Sequence, residues 1–209
     1  MTVARFLRGW AAAALVALAS CAGAPVAAQD VPRAALQYRS EVIRTARAVW
    51  GMDAPIAVFA AQIHQESAWR SGAVSQVGAQ GMAQFMPATS EWIAGLYPDL
   101  AERAPFSPSW SIRALVTYDQ WLWARVSAAD GCQRMAMVLS AYNGGLGWIA
   151  RDQRLARARG LDAAIWFGAV ETVNAGRSAA NWRENRDYPR RILYTHQARY
   201  TAWGPGVCQ

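Results

Sequence analysis

One carboxylate in this chain of 209 residues stands where a carboxylate is costly. Glu66 closes the run APIAVFAAQIHQE, residues 54–66, which is strongly apolar and contains no Lys or Arg. Either it is a solvated residue at a helix end, or it is an acid kept partly out of water. Burial disfavours the charged form of a carboxyl group and raises its pKa. Such an acid keeps its proton near neutral pH and can donate it, which is general acid chemistry. Ser67 follows directly, with a hydroxyl that can reach the site or a neighbouring backbone group. Further on, Gly78 and Gly81 permit close backbone approach, Gln84 offers an amide in apolar company, and Tyr142-Asn143 supplies a phenol and an amide at a helix end.

Other chemistries lack their residues. There is no HExxH, no paired CxxC, no G-x-S-x-G elbow and no phosphate-cradling glycine loop, and only two histidines occur. His64-Gln65-Glu66 matches the H-x-E of zinc deaminases, but their P-C-x-x-C half is missing. The expectation is therefore an acid working without metal, cofactor or nucleotide.

Helical spacing dominates the elements that must position these groups. Val42, Ile43, Ala46, Val49 and Trp50 line one face. A helix is expected from the Asp53-Ala54-Pro55 cap to Glu66, and another from Ser107-Pro108 to about residue 126. Two more are expected over residues 131–142, stopped by Asn143-Gly144-Gly145, and 146–159. Asp187-Tyr188-Pro189 reads as the start of a last one. Alternating strand patterns are scarce, so the fold class is all-α, with a long loop over residues 70–81. Trp69, Trp92, Trp110, Trp166 and Trp182 sit beside loops or helix ends; most such rings belong to a core, and some suit a groove for a polysaccharide.

Residues 1–28 read as a signal peptide: Arg5 and Arg8, an apolar run at 11–19, then Val26-Ala27-Ala28 as an A-x-A-like cleavage site. A second reading takes Leu18-Ala19-Ser20-Cys21 as a lipobox, which would leave Cys21 lipidated and is the one route to a membrane. Both export the domain at 29–209, to the periplasm, to the outer membrane as a lipoprotein, or out of the cell. Cys132 and Cys208 then form an even pair in an oxidising compartment, and a disulfide is expected. All 21 basic residues are arginine, against 14 acidic ones. A G+C-rich codon bias accounts for that, and so does attraction to wall or lipid polyanions rather than nucleic acid. The densest run, residues 151–160, reads as a solvated helix face.

Five short motifs in order resemble the soluble lytic transglycosylases, the SLT-domain relatives of goose-type lysozyme that cut peptidoglycan glycan strands. They are Glu66-Ser67-Ala68-Trp69, Ala73-Val74-Ser75, the block from Gly78 to Thr89, Ala141-Tyr142-Asn143-Gly144-Gly145, and Arg183-Glu184-Asn185-Arg186-Asp187-Tyr188. Met82-Ala83 stands where the family has Leu-Met, residues 70–72 replace Asn-Pro-x, and Asn185 stands for Thr. The resemblance implies a lysozyme-like helical domain with a substrate groove. It implies that Glu66 protonates the bond after N-acetylmuramic acid, then accepts the proton of that sugar's C6 hydroxyl, leaving a 1,6-anhydro end. No carboxylate nucleophile is needed, because the substrate's N-acetyl oxygen stabilises the positive centre. Ser75, Gln84, Tyr142 and Asn143 would position the sugar, while Glu184 and Tyr188 line or order the site. Bland alternatives stay open: a helix stop for Tyr142-Asn143, an arginine ion pair for Glu184, a loop-tying amide for Gln84. Glycan strands are the expected partner, with a secretion or lysis apparatus as a further one, and the protein is expected to be a monomer. The competing functions are a lysozyme or chitinase on the same fold and a non-catalytic wall-binding assembly protein.

Overall fold

A computed structural model describes residues 30–208, so the export segment and Cys21 lie outside the described residues. Among the described residues eight α-helices follow one another: α1 Arg33–Leu36, α2 Arg39–Trp50, α3 Ile56–Ser67, α4 Pro87–Leu96, α5 Pro108–Trp123, α6 Gly131–Gly144, α7 Leu146–Ala158 and α8 Ala179–Arg190. Among the described residues, the only strand-like pairings are isolated bridges from Gln80 to Val74 and to Phe85. The expected all-α class holds.

The core forms around α3, in which Ile56, Ala57, Val58, Phe59, Ala60, Ala61 and Ile63 are all fully buried. A helix apolar all round has to be enclosed on every side. Here α2, α5 and the chain after α8 enclose it, and α6 packs in turn against α5, α7 and α8. One helix start follows the expected chemistry, and a second uses the same chemistry at a cap not singled out in the sequence. Ser107 accepts the Trp110 N–H at 3.5 Å with Pro108 in the first turn, and Asp130 accepts the Gln133 N–H at 2.8 Å.

The start of α3 does not use its expected Asp53 cap. Pro55 holds the N-cap position, without a side-chain hydrogen bond. The free Ala57 N–H donates instead to the Pro205 carbonyl at 3.0 Å, so the C-terminal tail caps the central helix. A Cβ on Gly204 would lie 2.6 Å from Ile56 Cδ1, which is why the tail can pass so close only as glycine. The Gln197 amide holds the tail through both of its ends, to the Val207 carbonyl at 2.7 Å and N–H at 3.0 Å. The Cys132–Cys208 bond fastens it to the start of α6.

The last helix also differs from expectation. Pro189 does not begin it; Ser178 does, accepting the Asn181 N–H at 3.3 Å, and Pro189 sits in the final turn. Proline brings no N–H to the ladder, and the chain beyond it widens into a π-helical segment, Arg191–His196, then tightens at Gln197–Tyr200.

Candidate active site

Glu66 lies in the last turn of α3, and the turn after it fixes where that carboxylate points. Ala68 (φ 50°) and Trp69 (φ 69°) both adopt left-handed backbone, so the chain reverses at once. Neither residue is glycine, and the strain of order 1 kcal/mol at each is held by packing. Trp69 is buried, stacks on Tyr38 at 6.0 Å, and donates its indole N–H to the Tyr200 hydroxyl at 2.8 Å. That anchoring excludes Trp69 as a sugar platform. Trp110 and Trp166 are likewise core; of the five tryptophans singled out, Trp92 is the one with a large exposed surface.

Glu66 opens onto a cleft of about 360 Å³. Its walls are Gln65, Glu66, Ser75, Val77, Ala79, Gln84, Phe85, Met86, Thr89, Tyr118, Tyr142, Asn143, Glu184 and Tyr188. The fold thus brings together every expected site residue but one. Ser67 is buried, and its hydroxyl turns to the Ile63 carbonyl at 3.4 Å. Among the described residues, no Lys, Arg or His lines the cleft, although the chain as a whole is basic.

Burial pushes the Glu66 carboxyl up to about 8, and the negative charge of Glu184 adds to the rise. The hydrogen bond donated by the Tyr188 hydroxyl to Glu66 Oε1 works the other way but does not win. Position in the last turn of α3 acts in the same direction as burial, because a helix C-terminus disfavours negative charge. Tyr188 and Tyr142 are themselves pushed well above the ordinary phenol value, first by burial and then by Glu66, so both stay neutral donors.

The polar side chains around the acid mostly hold the walls in place. Tyr142 donates to the Ala83 carbonyl at 2.7 Å, joining α6 to the loop, and Ser75 Oγ accepts the Ala79 N–H at 2.9 Å. The Gln84 amide N–H₂ donates to Gly81 at 2.8 Å and Ala73 at 3.3 Å, while the residue still faces the cleft. Gly81 approaches protein rather than ligand: at φ 74°, a Cβ there would lie 1.6 Å from the Pro105 carbonyl oxygen. Asn143 donates to Glu184 at 3.4 Å, and no arginine forms an ion pair with Glu184 among the described residues.

Two residues behind the cleft were not singled out in the sequence. Asn185 accepts from Ser140 Oγ at 2.7 Å and donates to the Ser140 carbonyl at 2.8 Å and to Asn143 Oδ1 at 3.0 Å. It ties α8 to the end of α6, and its departure from the family's Thr was the available signal. Asp119, next to Tyr118 on α5, is fully buried and meets only Gln62 Nε2, at 3.5 Å. Nothing in its sequence surroundings marks it.

Comparison with known proteins fits this geometry. Residues 42–165 match the family model described as Transglycosylase SLT domain. The membrane-bound lytic murein transglycosylase F of Maricaulis maris (strain MCS10) is 33% identical over 117 residues, covering 56% of this chain and 24% of that protein. Its namesake from Pasteurella multocida (strain Pm70) is 31% identical over 117 residues, 56% of this chain and 22% of its own. The chain therefore spans about a quarter of the length of these relatives. The 70 kDa soluble lytic transglycosylase of Escherichia coli shares the fold, with a TM-score of 0.55 at 20% identity, over 79% of this chain and 24% of that one. With more than half of its length matched by the family model and its five motifs gathered on one cleft, the chain belongs to the transglycosylase SLT domain family.

Proposed function

We propose that this chain is an exported peptidoglycan lytic transglycosylase with Glu66 as its acid and base. The observation that carries the reading is a carboxyl, hydrogen-bonded by Tyr188, on the wall of a cleft that no cation lines among the described residues, where burial raises its pKa. Protonated Glu66 donates to the glycosidic oxygen between N-acetylmuramic acid and N-acetylglucosamine. The C1–O bond breaks, the glucosamine leaves with the proton as its 4-hydroxyl, and the acetamido oxygen supports the positive C1. Glu66, now a carboxylate, takes the proton of the C6 hydroxyl as O6 closes on C1, which regenerates the acid and leaves a 1,6-anhydro ring. Tyr188 orients the carboxyl through its hydrogen bond. Ser75, Gln84, Tyr142, Asn143 and Glu184 border the space in which the sugars would lie.

Export, and cleavage near Ala28 or lipidation at Cys21, belong to the same proposal. No helix among the described residues is long and apolar enough to cross a membrane. The test is mass spectrometry of the soluble products from purified sacculi, with wild type and Glu66→Gln side by side. Anhydromuropeptides from the wild type, and a loss of about 10²–10⁴-fold in the variant, are expected when a general acid is removed. Reducing ends would make the enzyme a lysozyme on the same fold, and undiminished activity in the variant would end the assignment of Glu66.

A further inference from the structure

Behind the cleft, one amide on α8 has every hydrogen-bonding position filled. Asn185 is 1% exposed. Its Oδ1 accepts from Ser140 Oγ and from Arg186 Nη1, both at 2.7 Å. Its Nδ2 donates to the Ser140 carbonyl at 2.8 Å and to Asn143 Oδ1 at 3.0 Å. A guanidinium only donates and a backbone carbonyl only accepts. Turning this amide over would set N–H₂ against the one and oxygen against the other. Arg186 is held in its turn by Asp152 and by the Val173 carbonyl, each at 2.8 Å. The polarity of Asn185 is thus set from the interior, by the ion pair on α7. Gly144 leaves room for it: a Cβ there would lie 2.7 Å from Asn185 Nδ2.

The consequence falls on Asn143, the last residue but one of α6, which is exposed and lines the cleft. With its Oδ1 taken by Asn185, its N–H₂ faces away and donates to Glu184 Oε1 at 3.4 Å. The other hydrogen of that N–H₂ has no protein partner among the described residues. We propose that Asn185 is a positioning residue: by holding Asn143 Oδ1 it fixes the Asn143 N–H₂ toward the cleft, so that this wall offers the substrate a donor and not an acceptor. The inference rests on the glycan reading of the cleft. The terminal torsion of an asparagine is broad and roughly two-fold, so an exposed amide left free would show either end. Fixing it beforehand lowers the ordering cost of binding.

The experiment compares wild type, Asn185→Asp, Gly144→Ala and Ser140→Ala. An aspartate beside Arg186 keeps the shape but only accepts, so Asn143 must turn its N–H₂ inward and its oxygen outward. Gly144→Ala pushes the Asn185 amide away from Asn143. Ser140→Ala removes one contact but leaves the guanidinium and the carbonyl that set the polarity. In NMR spectra of the ligand-free protein, Overhauser contacts from the Asn143 N–H₂ to the Glu184 side chain should appear in wild type and Ser140→Ala. They should vanish in Asn185→Asp and weaken in Gly144→Ala. For soluble glycan oligomers, KM should rise about tenfold in Asn185→Asp and Gly144→Ala, the scale of one hydrogen bond reversed, with kcat changed much less. Ser140→Ala should lower the melting temperature and leave KM near that of the wild type. Should Asn185→Asp fail to fold, Gly144→Ala decides by the same two readouts. An unturned Asn143, or a KM that merely follows melting temperature across the variants, overturns the proposal. If the wild type cuts no oligomer, the catalytic reading fails, and Kd from calorimetry takes the place of KM. Binding about tenfold weaker in Asn185→Asp then supports the positioning role. Unchanged binding, or none by the wild type, overturns it.

Discussion

Two of the acids that this fold draws away from bulk water are treated oppositely. Asp152 on α7 is fully buried and meets two guanidiniums, Arg177 at 2.5 Å and Arg186 at 2.8 Å. Arg186 also donates to the Glu171 and Val173 carbonyls and to Asn185, so its position is set from every side. Glu66 faces a cleft with no cation and receives one phenol hydrogen bond. Burial alone does not decide what a carboxylate does; its partner does. Beside guanidiniums the carboxylate is held in ion pairs that fasten α7 to α8, and beside a neutral donor burial keeps the proton on.

Breaking the first half of that contrast should have the largest effect. Asp152→Asn removes the carboxylate that Arg177 and Arg186 both meet in the interior. Removing one partner of a buried ion pair costs about 3–5 kcal/mol, a fall in melting temperature of roughly 10 °C for a domain of this size. Thermal denaturation checks it, and a shift below about 2 °C would mean that the pair does not hold the helices.

That clamp shows what the sequence could reveal and what it could not. Ser107-Pro108 announced α5 because capping chemistry is local. The start of α8 was hidden because the side it buries carries Asn185, Arg186, Tyr188 and Pro189 rather than aliphatic residues. Apolar periodicity cannot mark a polar buried face, so Pro189 drew the start eight residues too late. Asp152 sat inside a run that read as a solvated face; Arg151, Arg154 and Arg157 are indeed exposed, but Asp152 is not. Its partners come from 25 and 34 residues away, a pairing that only tertiary structure makes. The cleft was more legible, because its residues cluster in short motifs. What those motifs did not separate was wall-holding from sugar-facing groups, as the loop-tying amide of Gln84 shows.

The second half of the contrast is tested by pH. If Glu66 must donate a proton, activity should fall as pH rises through about 8. Tyr188 holds that carboxyl down, so Tyr188→Phe should move the alkaline limb upward while lowering kcat through lost orientation. A downward shift would contradict the role of the hydroxyl. The sign for stability follows from the same raised value. The contribution of Glu66 is fully present below the ordinary 4.5 and is lost as pH rises through about 8, so the wild type is less stable at pH 9 than at pH 5 on this account.

The smallest effect is expected at Asp119, which sharpens the rule. It is as buried as Asp152 but has no cation, and burial pushes its carboxyl well above the usual range. Asp119 Oδ2 and Gln62 Oε1 are both buried without a hydrogen-bond partner. A proton on Oδ2 turns one of the two unpartnered oxygens into a donor, alongside the contact from Gln62 Nε2 to Oδ1. Asparagine carries the same donor and acceptor without ionising, so Asp119→Asn should fold normally and keep the alkaline limb of activity within about 0.3 units, since no charge is removed. An ionised Asp119 would give a different result. Its charge would be raising the Glu66 carboxyl, and removing it would pull the limb to lower pH. A limb that stays put shows that Glu66 shares its interior with a neutral acid, and that burial together with Glu184, rather than a charge on Asp119, is what holds its proton.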